Sequence, residues 1–323
     1  MPRERLDCVG LDDPIEHAAL VAASVTPLLR RGMADLIIVQ GDTSSALGGA
    51  DAAVDLGLPV AHVEAGLRSF DRAMPWPEED NRIAIDAMSD LLFAPTEGAA
   101  TNLRHEGVAG EIHVTGNTGI DALQATLATL PPAVPRRRDA GAPLELLVTC
   151  HRRENWGEGL EAIAAAVNEL AREGSARSEV ILHPNPRIAD LMHRMFAGQP
   201  GIRLSLPAIH RTMVVAMRAA DLILSDSGGV QEEAPALGVP LLVLRERTER
   251  PEAVASGNAI LVGASTARIL AEVRRLAADR SLLERMALPA FPFGDGHAAP
   301  RIAGHIRQWL IERDRPALDR RRA

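Results

Sequence analysis

The chain has no lysine and no tyrosine, and its strongly basic residues are all arginine. No lysine can therefore act as a Schiff base or a proton carrier. Cysteine occurs only at Cys8 and Cys150, too few for a disulfide framework or a cysteine zinc site. Positive charge is in deficit, with a formal net charge of −8, which argues against a general nucleic-acid or membrane-surface partner. No run approaches the ~18 apolar residues that span a bilayer. The opening Met-Pro-Arg-Glu-Arg-Leu-Asp-Cys lacks the long apolar core of a signal peptide, so a soluble, cytoplasmic protein is expected. A GxGxxG fingerprint, a Walker loop and metal-spaced histidines are also missing, which disfavours nicotinamide, ATP and zinc chemistry.

What the chain does have is length and apolar content. Its 323 residues, 46% of them hydrophobic, suffice for two domains with buried sheets. Strand-like runs at 36–40, 59–63, 90–94, 112–115, 144–149, 179–183, 202–206, 221–225, 240–244 and 259–262 alternate with helix-like segments. That alternation predicts an α/β protein made of two Rossmann-like, doubly wound parallel-sheet domains. The segment Pro131–Gly141, rich in proline and charge, reads as an interdomain linker. The expected division is an amino-terminal domain at 1–130, a linker at 131–143 and a second domain at 144–298. A closing helix and Arg-rich tail follow at 299–323.

Two tracts stand out. Gly41-Asp42-Thr43-Ser44-Ser45 and Ser225-Asp226-Ser227-Gly228-Gly229 each follow an apolar run and precede a helix-like stretch. Such turns present backbone N–H groups and the positive end of a helix dipole to anions. One in each half predicts two domains facing a shared cleft.

Around these turns lie groups able to do chemistry. Asp42, Glu64 and Glu78 each follow or close a strand-to-helix connection, and proton abstraction on a sugar needs an acid and a base about the reacting carbon. Taken alone, Asp42 reads first as a helix N-cap. Glu64 stands where a turn usually has Gly, Asn or Asp. Glu78 and Arg82, at i and i+4, are also what an ordinary surface ion pair requires. In the second half, His151 and Arg152 follow a strand directly and suit a phosphate ester, although exposed loops carry such residues too. Ser227, Gly228 and Gly229 allow a diphosphate close approach, an acid early in the following helix (Glu232 or Glu233) can accept from ribose hydroxyls, and Arg250 lies just past the next strand. His183, at another strand end, is by itself more often structural than catalytic.

In order, these segments resemble the non-hydrolysing UDP-N-acetylglucosamine 2-epimerases. The matching tracts are Gln40–Thr43, His62–Arg68, Pro75–Glu79 with Asn81-Arg82, Thr115–Asp121, His151–Glu154, Ser225–Gly229 through Pro235, Thr248–Glu252 and Phe293–Gly296. The resemblance implies a glycosyltransferase-B-like fold and a cofactor-independent reaction on a UDP-sugar. UDP leaves across C1–C2, a 2-acetamidoglucal forms, and re-addition inverts C2. It further implies that Asp42, Glu64 and Glu78 move protons while Arg82 holds the site in register. His151, with Arg152 and His183 nearby, would steady the diphosphate. Ser227, Gly228 and Gly229 would cradle its oxygens, Glu233 the ribose and Arg250 the nucleotide end. A homodimer is implied as well.

The pattern's opening strand, Gly-Thr-Arg-Pro-Glu turn, helix and second strand have no counterpart here, so the first domain is expected to be incomplete at its amino terminus. Three other readings stay open: a hydrolysing epimerase releasing free N-acetylmannosamine, a glycosyltransferase, and an inactive UDP-sugar binder.

Overall fold

The computed structural model describes residues 6, 8–32, 34–132 and 142–320. The centre of the expected linker, 133–141, and the last three residues of the tail lie outside them. By internal contacts the chain forms two units, one of residues 1–121 with 294–323 and the other of residues 122–293.

The first unit runs α1 (Pro14–Arg31), β1 (Ile37–Gln40), α2 (Ser44–Asp55), β2 (Val60–Val63), α3 (Glu78–Met88), β3 (Leu91–Ala94), α4 (Glu97–Glu106) and β4 (Glu111–Val114). Helix α5 (Thr118–Leu127) crosses the division. The strands form one parallel sheet in the order β1-β2-β3-β4. Strands β2 and β3 are buried along their whole length, as their unbroken apolar runs require when both sheet faces are covered. Their side chains divide with the two-residue period of a strand. Leu92 and Ala94 pack with Ala99, Ala100 and Leu103 of α4, whereas Leu91 and Phe93 face Ala298 and Ile302 near the carboxyl terminus.

The second unit comprises β5 (Leu144–Thr149), α6 (Glu158–Arg172), β6 (Ala176–Ile181), α7 (Pro186–Phe196), β7 (Ile202–Ser205), α8 (His210–Ala219), β8 (Leu222–Ser225), α9 (Gly228–Leu237), β9 (Leu241–Val243), α10 (Pro251–Ala255), β10 (Ala259–Leu261), α11 (Thr266–Ala278) and α12 (Arg280–Met286). Its parallel sheet has the order β10-β9-β8-β5-β6-β7, with the winding reversed beside β5. Leu146, Val148, Leu222 and Leu224 pack with Ile163 and Val167 of α6, Phe196 of α7 and Val273 of α11. Strand β6 starts three residues ahead of the expected 179 and ends at Ile181. Its Arg177 and Glu179 are carried on a face less covered than the one that buries Ala176 and Ser178, so the apolar run alone marked only its end.

The closing helix α13 (Ala298–Arg320) returns to the first unit. Asp121 anchors its start, accepting the N–H groups of Ala298 (3.0 Å) and Ala299 (2.8 Å) where the helix dipole favours an anion.

Candidate active site

In the first unit the acids gather at the carboxyl ends of adjacent strands. Gly41 N–H donates to Val63 C=O at 3.0 Å, which sets the Asp42 turn beside Glu64. The Glu64 carboxylate leans over that turn: a Cβ placed on Gly41 would stand 3.6 Å from its Oε2. Glu64 itself has φ +73°, a left-handed backbone that costs a side-chain-bearing residue energy and usually goes to glycine. Phe93 C=O accepts from the N–H groups of both Glu64 and Ala65 at 3.1 Å, pinning the bend.

Asp42 is not the N-cap. Thr43 takes that role, its hydroxyl accepting from Ala46 N–H at 3.2 Å, and leaves the Asp42 carboxylate to pair with Arg82. Asn81 Nδ2 also donates to Asp42 C=O at 2.8 Å. Nor is Arg82 a surface residue: it is 1% exposed and ion-paired to Glu79 at 3.1 Å. Glu78 opens α3 one turn before Arg82, on the same helix face.

The strand-end loops of the second unit converge in the same way. His151 and Arg152 follow β5, and their N–H groups donate to the Asp226 carboxylate at 2.8 and 3.0 Å. The His151 ring lies 5.6 Å from that of His183, centroid to centroid. Burial pushes the His151 imidazole below its ordinary value, helped by His183 and Arg152, while Asp226 pulls the other way. His183 is also locally engaged, its Nδ1 accepting Asn185 N–H at 2.9 Å.

Ser227 is the N-cap of α9, yet its hydroxyl caps nothing. Gly228 has no room for a side chain, since a Cβ there would stand 2.7 Å from Arg250 Nη1. Gly229 is exposed, with open space where its Cβ would be. Arg250 is buried beneath this turn, bound to Glu232 at 2.6 Å and Glu249 at 2.5 Å. Glu233 meets His210 Nε2 at 2.8 Å, and burial raises its carboxyl above the usual range against the pull of that histidine.

A family model described as UDP-N-acetylglucosamine 2-epimerase matches residues 3–307. The chain belongs to the UDP-N-acetylglucosamine 2-epimerase family. The enzyme of that name from Salmonella typhimurium is 38% identical over 311 residues, 92% of this chain and 81% of the relative. The Neisseria meningitidis UDP-GlcNAc 2-epimerase, solved bound to UDP-GlcNAc, superposes with a TM-score of 0.86 at 37% identity, covering 92% of this chain and 82% of that one. The Methanocaldococcus jannaschii UDP-GlcNAc 2-epimerase, in complex with UDP-GlcNAc and UDP, gives 0.83 at 33% identity, over 95% and 85%. Two Rossmann-like units are the glycosyltransferase-B-like make-up that the epimerase motifs implied.

Sequence reasoning passed over the residues that brace the Gly41 turn and the loop after Glu64. His62 and Asp86 are wholly buried, with His62 Nδ1 2.6 Å from Asp86 Oδ1 and its Nε2 3.0 Å from Gly41 C=O. Asp86 also accepts Gly66 N–H at 3.1 Å and Arg68 Nη2 at 2.7 Å, which fastens the loop after Glu64. That loop is tight, for a Cβ on Gly66 (φ +81°) would lie 2.3 Å from Ala99 C=O. Glu79, 1% exposed, accepts from the N–H groups of Ser69 and Phe70. One signal was present: a histidine inside Val60–Val63 and an aspartate directly after Ile85 are polar residues set in apolar stretches.

Proposed function

We propose that this chain interconverts UDP-N-acetylglucosamine and UDP-N-acetylmannosamine without hydrolysis. The C2 proton goes to a carboxylate, the C1–O bond to UDP breaks, and 2-acetamidoglucal remains with UDP. A UDP phosphate oxygen then re-forms the bond to C1 while a proton reaches the opposite face of C2. The sequence is redox-neutral, because every proton and electron pair that leaves returns.

In this reading Asp42, Glu64 and Glu78 carry the protons, and Arg82 offsets the charge of Asp42. His151 and Arg152, with His183 beside them, meet the negative charge that grows on the departing diphosphate. Ser227, Gly228 and Gly229 offer the start of α9 to its oxygens. Glu233 accepts from ribose hydroxyls, and Arg250 secures the nucleotide end. The working form is a homodimer in the cytoplasm.

The observation that carries the proposal is Glu64 itself. A glutamate kept at φ +73° next to Asp42 is a strained residue at a strand end, where strain is retained for function. Incubation in D2O tests it. UDP-N-acetylmannosamine should appear with deuterium at C2, and Glu64→Gln should abolish both signals while UDP affinity stays near that of the parent. Release of free N-acetylmannosamine with UDP would instead reveal a hydrolase.

A further inference from the structure

Among the second unit's buried groups, Asp226 has the most unusual surroundings. It is fully buried between the ends of β5 and β8. Its Oδ1 accepts His151 N–H at 2.8 Å. Its Oδ2 accepts Arg152 N–H at 3.0 Å, Asn155 Nδ2 at 2.8 Å and the Cys150 thiol at 3.3 Å. All four donors are neutral. Burying a carboxylate among neutral donors is expensive, and a cation is its usual companion. Asn155 extends the connection, its Nδ2 also donating to Leu244 C=O at 3.0 Å just beyond β9. One carboxylate thus fastens the loop after β5 to the ends of two neighbouring strands. It also directly precedes Ser227 and the start of α9.

We propose that Asp226 is a positioning residue for His151, fixing the loop that aims the imidazole and supplying the negative charge beside it. This deepens the epimerase reading and rests on it for the part His151 plays. A histidine that must answer a departing diphosphate works best near its protonated form. Burial, His183 at the end of β6 and Arg152 on its own loop all push the other way. Arg152 is itself drawn toward Glu249, at 3.8 Å. Glu154, on the same loop, pairs with Arg245 at 2.9 Å, which spends its charge elsewhere. Asp226 acts on the imidazole in the opposite sense to burial, His183 and Arg152. It also links the His151 loop to the first turn of α9, so two anion-binding elements share one anchor.

The test is Asp226→Asn in the full chain, read three ways. By NMR, the His151 imidazole should titrate at lower pH than in the parent, a readout that requires no turnover. In steady-state epimerisation kcat should fall by about 100-fold, the lower end for losing one preorganised charge-stabilising group, a fall larger than any rise in KM. In a His151→Gln background the same change should cost much less in kcat than it does in the parent, because a residue acting through another is not additive with it. An unshifted His151 titration, or a full additive loss in that background, overturns the inference. A parent chain that makes no UDP-N-acetylmannosamine sinks the functional reading instead, and the NMR titration still decides the role of Asp226. Should Asp226→Asn not fold, Asn155→Ala removes one tie and keeps the charge. Its kcat should fall with UDP affinity retained, and a kcat equal to the parent's overturns the proposal.

Discussion

Replacing Asp86 with alanine should cost the first unit about 3 kcal/mol of stability. The magnitude follows from what the carboxylate holds. It is wholly buried and receives His62 Nδ1 at 2.6 Å, Arg68 Nη2 at 2.7 Å and Gly66 N–H at 3.1 Å. Removing one member of a buried ion pair costs about 3–5 kcal/mol, because the other charge is left unsatisfied. Arg68 retains Glu106 through Nε at 2.7 Å and Nη2 at 2.6 Å, and Leu67 C=O at 2.8 Å, which places the loss at the low end. In a unit of this size each kcal/mol moves the melting temperature by roughly 2–4 °C, so a fall of about 6–12 °C is expected. Trp76 and Trp309 lie in the first unit and Trp156 in the second, so a Trp156→Phe background lets fluorescence follow the first unit alone during urea unfolding. The control is Asp80→Ala, which breaks the exposed 3.3 Å pair with Arg72 and should change stability by under about 0.5 kcal/mol. A loss below about 1 kcal/mol for Asp86→Ala, or one equal to the control, would show that the buried cluster is not what holds this loop.

Three further outcomes are expected. Glu64→Gly should abolish epimerisation yet unfold within about 1 kcal/mol of the parent, since glycine escapes the left-handed penalty while adding chain entropy; chemical denaturation beside an activity assay separates the two effects. Burial and the Asp226 carboxylate hold the Cys150 thiol well above its ordinary value. Iodoacetamide at pH 8 should therefore label Cys8 and spare Cys150 in the native protein, and equal labelling by peptide mass spectrometry would contradict this. His113 stacks on His305 at 4.0 Å, and burial, then that neighbour, lowers its imidazole from 6.5. The unfolded chain thus binds more protons just below pH 6.5, so this stability is whole above that pH and is lost as pH falls toward the folded value. Unfolding midpoints between pH 5 and 7 should flatten in His113→Gln, and an unchanged slope would remove His113 from the account.

Much of the candidate site was legible because its residues sit at punctuation. Asp42, Glu64, His151 and Ser227 follow short apolar strands, and a parallel sheet places such residues at one end whatever the remaining chain does. Glu64 was conspicuous for being the wrong residue type for a turn, and its φ of +73° gives the reason. The surroundings of Arg82 and Arg250 were not legible. An i, i+4 spacing left a surface ion pair open for Arg82, and a place after a strand said nothing of what covers Arg250, yet both are buried among carboxylates. Local spacing reports which residues share a helix face but not what covers that face.

Sequence alone determined the element order, the parallel sheets and the strand-end addresses of the acids, because these depend on short-range periodicity and turn chemistry. Tertiary structure alone decided that Thr43 rather than Asp42 caps α2, that α13 returns to the first unit's sheet, and that Asp86 and Asp226 are buried anchors. Those facts depend on which distant segments meet. A carboxylate among backbone N–H groups supplied by another strand's loop looks no different in a one-dimensional string from one bathed in water.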